Sequence, residues 1–183
     1  MSTTEAVGLT AGTWDIDPVH SDVSFAVRHL MVSKIRGRFG SFSGSIVTDP
    51  DVAGSSVTAS IDLASVDTGN EQRDQHVRAA QWLDTDNHPT MTYRSTAVRR
   101  DGDGLVVDGE LTLRGVTRSV PLTVELGGTG PDPWGGTRIG FSAAAAIDRR
   151  DFGIDVSVPI DGGVVVSDRV QIQLEVEAVL RAE

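Results

Sequence analysis

The chain contains no cysteine. Disulfides and thiolate metal sites are therefore excluded. Lysine is nearly absent as well. Lys34 is the only one among 16 basic residues, set against 26 acidic ones, for a net charge of −10. The preference for arginine reads as coding bias in a GC-rich genome rather than as bidentate recognition. An acidic surface of this size argues against nucleic acid and against anionic membrane surfaces, because both call for a basic patch. No apolar run approaches the ~20 residues that a membrane span needs. The opening MSTTEAVGLTAG has no basic region and no apolar core, so it does not read as a secretory signal. A soluble cytoplasmic protein is expected.

Catalytic and cofactor signatures are missing too. There is no GxGxxG and no P-loop. Gly40-Ser41-Phe42-Ser43-Gly44 resembles an esterase elbow only at a glance, since its central residue is Phe42. His20 and His29 lie nine positions apart, an odd separation that puts them on opposite faces of a continuous strand. His76 and His88 add no HxH or HxxxH spacing. No metal and no cofactor is expected. His20 is read as tying a turn and His29 as a satisfied core histidine. Asp148, Arg149, Arg150 and Asp151 are read as a solvated charge network beside a turn.

Alternation is what the sequence has in abundance. In Leu105 to Leu126, Leu105, Val107, Leu111 and Leu113 share one parity, and Asp108, Glu110, Thr112 and Arg114 the other. After Gly115 the pattern resumes as Val120, Leu122, Val124 and Leu126. Successive strand side chains point to opposite sides, so this is an antiparallel pair with one buried and one wet face. Arg114-Gly115-Val116-Thr117 forms its turn. A lone hairpin is not stable in water, so neighbouring strands must complete the buried face.

The rest of the chain follows suit. Thr13 to Asp17 and Val19 to Met31 read as strands, SKIRG as a turn, and Phe39 to Thr48 as a glycine-rich strand suited to sharp bending. Val57 to Leu63 alternates, and so does Met91, Tyr93, Ser95, Ala97. Asp101-Gly102-Asp103-Gly104 is hairpin-turn chemistry. Gly127 to Gly136 reads as a loop whose Trp134 folds back onto the body. Ile139 to Ile147 and Val170 to Leu180 are the last strands, with RRDFGIDVSVPIDGG between them irregular or a short edge. Thr68 to Pro89 alone lacks alternation. Thr68 and Glu71 have capping-box spacing, and Val77, Ala80 and Leu83 fall roughly on one helical face, which predicts one helix of about three turns.

The expected fold is all-β: about eight antiparallel strands, mostly joined by hairpins, with that one helix. Residues 1–11 are expected to be a disordered tail and 12–183 a single domain. A two-sheet sandwich and an up-and-down barrel both accommodate such a chain; the strand lengths favour closure, which removes sheet edges. An eight-stranded interior holds side chains or one small ligand. Small residues at the inward positions Ala59, Gly109, Ala143 and Ala145 argue for unfilled space inside.

Four stretches in order carry a resemblance: IDPVHSDVSFAVRHLMVSKIRGRF, NEQRDQHVRAAQWLDTDNHPTMTYRS, GELTLRGVTRSVPLTVE, and IDRRDFGIDV with VSDRVQIQLEVEAVL. Together they make the chain, from about Gly12 to Glu183, similar to the YceI-like family of lipid-binding proteins. The resemblance implies an extended lipocalin-like barrel around a long apolar tunnel that holds an isoprenoid chain, such as a polyprenyl quinone tail. It also implies a homodimer and no established catalytic residues. Many members are exported, and the absence of a signal departs from that pattern.

An apolar chain offers little polarity to recognise, so its site is expected to be aliphatic and aromatic. By parity the candidate ligand-binding residues are Phe25, Val27, Phe42, Ile61, Tyr93, Leu111, Leu113, Phe141, Ala143 and Leu174. Each also has a plain core reading. Tyr93 could add a hydrogen bond to a headgroup. Burying roughly 500 Å² of isoprenoid at ~25 cal/mol per Å² contributes on the order of 12 kcal/mol before ordering costs, enough without a polar anchor. The expected function is carriage or storage of an isoprenoid lipid with at most transient membrane contact. Two rivals stand: a hydrolase or isomerase using His20 or His29 with a neighbouring Asp, and a ligand-free stress or scaffold protein with a solid barrel. The enzyme requires a base within about 3 Å of the reacting position; the scaffold requires interior side chains that meet with no tunnel between them.

Overall fold

The computed structural model describes residues 9–29, 33–156 and 166–182. These form twelve strand segments and one α-helix. The strands are β1 (Gly12–Ile16), β2 (Asp22–His29), β3 (Ser33–Phe39), β4 (Phe42–Thr48), β5 (Ser56–Asp62) and β6 (Val66–Asp67). After α1 (Glu71–Arg78) come β7 (Thr90–Asp101), β8 (Gly104–Leu113), β9 (Val116–Ser119), β10 (Leu122–Pro131), β11 (Thr137–Asp148) and β12 (Val166–Leu180). All pair antiparallel, and they fill eight positions in a meander. β1 and β2 share one position, β3 and β4 the next, β5 and β6 the third, and β9 and β10 the sixth. The fifteen-residue β12 then meets both halves of the first position, through Trp14↔Leu180 and Leu174↔Val23. The sheet closes into a barrel.

Two of the four splits have a local cause in view. β9 and β10 pair with β8 in one register, and between them the Val120 N–H still reaches the Gly109 carbonyl at 2.8 Å; Pro121 has no N–H to give on the β11 side, where pairing begins at Thr123↔Ala144. Between β1 and β2 the chain makes an extra turn at Asp17, whose Oδ1 accepts from the Val19 N–H at 2.9 Å. Ser21 anchors that turn to β12, donating to the Glu177 carbonyl at 3.1 Å and accepting the Glu177 N–H at 3.0 Å. Two tight hairpins set the register of β7, β8 and β9. Gly102 takes φ +59° between Asp101 and its partner Gly104. Arg114 and Gly115 both lie at positive φ (55° and 74°) between Leu113 and its partner Val116. That second turn is two residues long, shorter than the four read from the sequence, and its mirror-image geometry matches the strand twist.

Several sequence expectations need correction. SKIRG is not a turn: Ser33 to Phe39 is β3, paired with β2 throughout. The helix is eight residues, nearer two turns than three, and its cap is Asn70, whose side chain accepts the Arg73 N–H at 2.9 Å. Thr68 instead donates its backbone N–H to Asp74 at 2.8 Å. A bulge between Ser95 and Ala97 reverses the parity of β7, so Val98 is buried and Ala97 exposed. Gly109 does not border empty space: the Tyr93 ring lies where its Cβ would stand. Gly127 to Pro131 belongs to β10, and Trp134 in the following turn is 77% exposed rather than folded back. Leu9, assigned to the loose tail, is buried in the core. Residues 1–8, 30–32, 157–165 and 183 lie outside the described residues, and with them most of the expected tail, the end of the strand expected to reach Met31 and much of the stretch expected to be irregular or a short edge.

Trp14 is fully buried at the closing seam, and its Nε1 donates to Thr48 Oγ1 at 2.8 Å. Thr48 donates onward to the Thr10 carbonyl. Outside the same seam, Arg138 of β11 gathers three carboxylates, at 2.8 Å from Asp17, 2.8 Å from Glu177 and 3.3 Å from Asp132. Its hydrogen bond, helped by His20, holds the Asp17 carboxyl well below the usual range. Asp132 is lowered too, first by the Gly136 N–H.

Trp14→Ala is expected to cost about 3–5 kcal/mol, measured by urea unfolding. A depressed carboxylate contributes stability that is complete above its unfolded pKa of about 3.9 and is lost as pH falls toward the folded value. The melting temperature should therefore drop as pH falls below about 4. Arg138→Met should shrink that drop, and an unchanged acid limb would show that the seam ion pairs do not set it.

Candidate functional site

The inward faces of the strands do not meet across the barrel. They leave two adjoining cavities along its axis, of about 140 Å³ and 190 Å³. The smaller, upper one lies at the end that carries α1. Phe25, Val27, Ile35 and Phe39 of β2 and β3 line it together with Val170 and Ile172 of the adjoining β12 and Ile147 of β11, and Leu113 of β8 faces them from across the ring. Val77, Trp82 and Leu83, from α1 and the turn that follows, complete the wall. The larger, lower one is walled by Phe42, Ile46, Ala59, Ile61, Tyr93, Leu105, Leu111, Phe141, Ala143 and Leu174, with Leu9 among its lining residues.

All ten residues singled out by parity stand on these walls. Phe25, Val27 and Leu113 face the upper cavity. Phe42, Ile61, Tyr93, Leu111, Phe141, Ala143 and Leu174 face the lower one. Two are placed by a glycine on the neighbouring strand. The Phe25 ring lies over Gly37 and meets Phe39 at 5.5 Å between centroids, and the Tyr93 ring lies over Gly109. A Cβ at either glycine would collide with the ring.

Few polar groups approach the lumen, and the protein itself satisfies those that do. The Tyr93 hydroxyl is not free for a headgroup: it donates to the Val120 carbonyl at 2.8 Å, and burial pushes its pKa up. Arg149, read from the sequence as part of a solvated network, is instead buried. It donates to the carbonyls of Ile154 at 2.7 Å and Ser167 at 3.2 Å and pairs with Asp168 at 3.1 Å. Its guanidinium also stacks 5.3 Å from the Trp82 ring centroid. Arg73 gives its Nε to Thr68 Oγ1 at 2.8 Å and a second N–H to the Thr68 carbonyl at 2.7 Å. Among the described residues no buried side-chain nitrogen or oxygen lacks a partner. The lumen thus presents hydrocarbon and has no orphan polar group to give a ligand.

Among the described side chains, His20, His76 and His88 line neither cavity. His20 sits on the outer wall, 51% exposed, with Nδ1 2.7 Å from Asp17 Oδ2, and lines a shallow outside groove rather than either cavity. It does tie the turn at Asp17, as its sequence context suggests. The side chain of His29 lies outside the described residues. His76 is in the last turn of α1, and His88 packs against Gly115.

Sequence reasoning missed the contributions of Leu9, Trp82, Met91, Arg149 and Ile154 to the lumen. Trp82 and Leu83 follow α1 directly and could have been suspected as an apolar pair in an otherwise polar stretch. Leu9 and Ile154 lie outside any alternating run, so no pattern marked them.

Comparison with known proteins agrees with this architecture. The family model of the YceI-like domain matches residues 14–178. Protein YceI of Escherichia coli is 43% identical over 141 residues, which cover 76% of this chain and 74% of that protein. The crystal structure of Burkholderia cenocepacia BcnA superposes with a TM-score of 0.77 at 27% identity, covering 88% of this chain and 98% of the other. A polyisoprenoid binding domain from Saccharophagus degradans superposes with a TM-score of 0.67, covering 94% and 100%; at 21% identity this likeness speaks for the fold. With a meander of eight positions closed around an apolar lumen, and a family match spanning nearly all of the barrel, the chain belongs to the YceI-like family.

Proposed function

We propose that the protein binds one long apolar lipid, a polyisoprenoid or the tail of a polyprenyl quinone, inside the barrel, and carries or stores it without transforming it. The observation that carries this reading is the lumen itself. It is hollow, it runs through two successive cavities, and its walls are aliphatic and aromatic. Transfer of hydrocarbon from water into such walls supplies the driving force without any polar anchor. The Saccharophagus degradans neighbour, a polyisoprenoid binding domain, supports the choice of ligand class. Against the enzyme reading, the His20–Asp17 pair faces solvent on the outer wall and not the lumen. Against the solid-scaffold reading stands the gap between the interior side chains. A homodimer and a brief membrane contact during loading complete the proposal.

Native mass spectrometry with organic extraction is the direct check. A prenylated lipid at about one per chain is expected, by the one-site lumen geometry. Apoprotein that also ignores added polyprenyl quinone would end the proposal. Ala143 is buried on the lower wall between its cross-strand partners Val124 and Leu174. Ala143→Trp should empty the barrel of lipid while keeping the β-sheet circular dichroism, at a stability cost of about 1–3 kcal/mol. Undiminished loading in that variant would contradict a ligand in the lower cavity.

A further inference from the structure

The two cavities have three lining residues in common: Val23, Met91 and Ile172. Their places in the barrel give that overlap a meaning. β7 holds the fourth position of the meander, β12 the eighth, and β2 belongs to the first, next to β12. Met91 therefore comes from the wall opposite Val23 and Ile172. A residue that touches the upper and the lower cavity from one wall, facing two that do the same from the other, marks a waist between the chambers. The side chains on either side sort accordingly. Along β12, Val170 lines only the upper chamber and Leu174 only the lower.

We infer that Met91, closing against Val23 and Ile172, is the residue that sets the length of chain the lumen accepts. The inference rests on the proposal that the lumen holds a lipid. Val23 and Ile172 are β-branched and stiff about χ1, and they belong to paired strands. Met91 is unbranched, with three rotatable bonds and a polarizable thioether that packs well in several rotamers. It is the movable member of the three. With the Met91 side chain across the waist, a short chain fills one chamber. With it turned aside, the chambers join and a long chain threads both. A ligand that needs the second chamber must displace Met91, while a short one need not. The waist thus discriminates by length and is indifferent to the headgroup.

The test uses delipidated full-length protein and two prenyl alcohols, farnesol as the short probe and solanesol as the long one, with affinities from competition against a fluorescent fatty acid. Met91→Phe fills the waist with a side chain that cannot fold aside. It should weaken solanesol at least about tenfold while changing farnesol by less than about threefold, since bulk at the waist opposes only the chain that must pass it. Met91→Ala removes the barrier and should not raise the solanesol-to-farnesol ratio of dissociation constants. Val23→Phe, which narrows the waist from the opposite wall, should reproduce the Met91→Phe pattern and carries the test if Met91→Phe does not fold. An unchanged ratio in a folded Phe variant would overturn the inference. So would a rise in Met91→Ala equal to that in Met91→Phe, because it would trace the effect to lost methionine contacts. Wild-type protein that binds neither alcohol would instead defeat the lipid-binding proposal on which the waist depends.

Discussion

Closure of the sheet is the constraint on which the rest of the molecule depends. It is accomplished by one long strand, β12, which divides its hydrogen bonds between β2 and β1. The two halves of that first position are out of step with each other, and the turn at Asp17 takes up the difference. Arg138 ties Asp17, Glu177 and Asp132 across the outside of the seam, while Trp14 fills its inside. Once the ring is closed, every inward side chain faces another across a fixed diameter, and whether the centre fills is decided by side-chain volume alone.

Volume falls short of filling it. Alanine and valine occupy many inward positions, and two of the larger rings spend their bulk over glycines in the wall: Phe25 over Gly37 and Tyr93 over Gly109. Those rings lie flat along the sheet rather than projecting across the axis. The polar groups near the helix end are likewise drawn into the wall. Thr68, Arg73 and Asp74 bond one another, and Arg149 is consumed by carbonyls and by Trp82. An apolar void of this kind does not attract water, because a water inside would find no partners. Hydrocarbon is the solute that such a space suits.

The lumen residues were legible because strand periodicity is a short-range property. A residue two positions from an inward one is inward too, and that rule placed Phe141, Ala143, Leu111 and Leu113 on the wall without knowledge of their neighbours. The rule fails wherever one residue is inserted. The bulge near Ser95 exchanged Ala97 for Val98, and nothing in the local sequence announces it, since the bulge answers to β8 rather than to β7 itself. Helix length failed for a related reason. The stretch after Arg78 is polar enough to continue as helix, but Leu83 and Thr85 bond back to the carbonyls of Val77 and Arg78 and turn the chain toward β7.

By itself the sequence determined the all-β class, the antiparallel meander, the apolar character of the inner face and the absence of thiol chemistry. Each follows from residue type and near-neighbour spacing. Only the tertiary structure decided that the barrel is hollow, that Arg149 is buried, that the Tyr93 hydroxyl is already engaged, and that Met91 stands opposite Val23 and Ile172. These depend on which residues face each other across the ring. That is set by register and by the number of strand positions, and no local pattern encodes either.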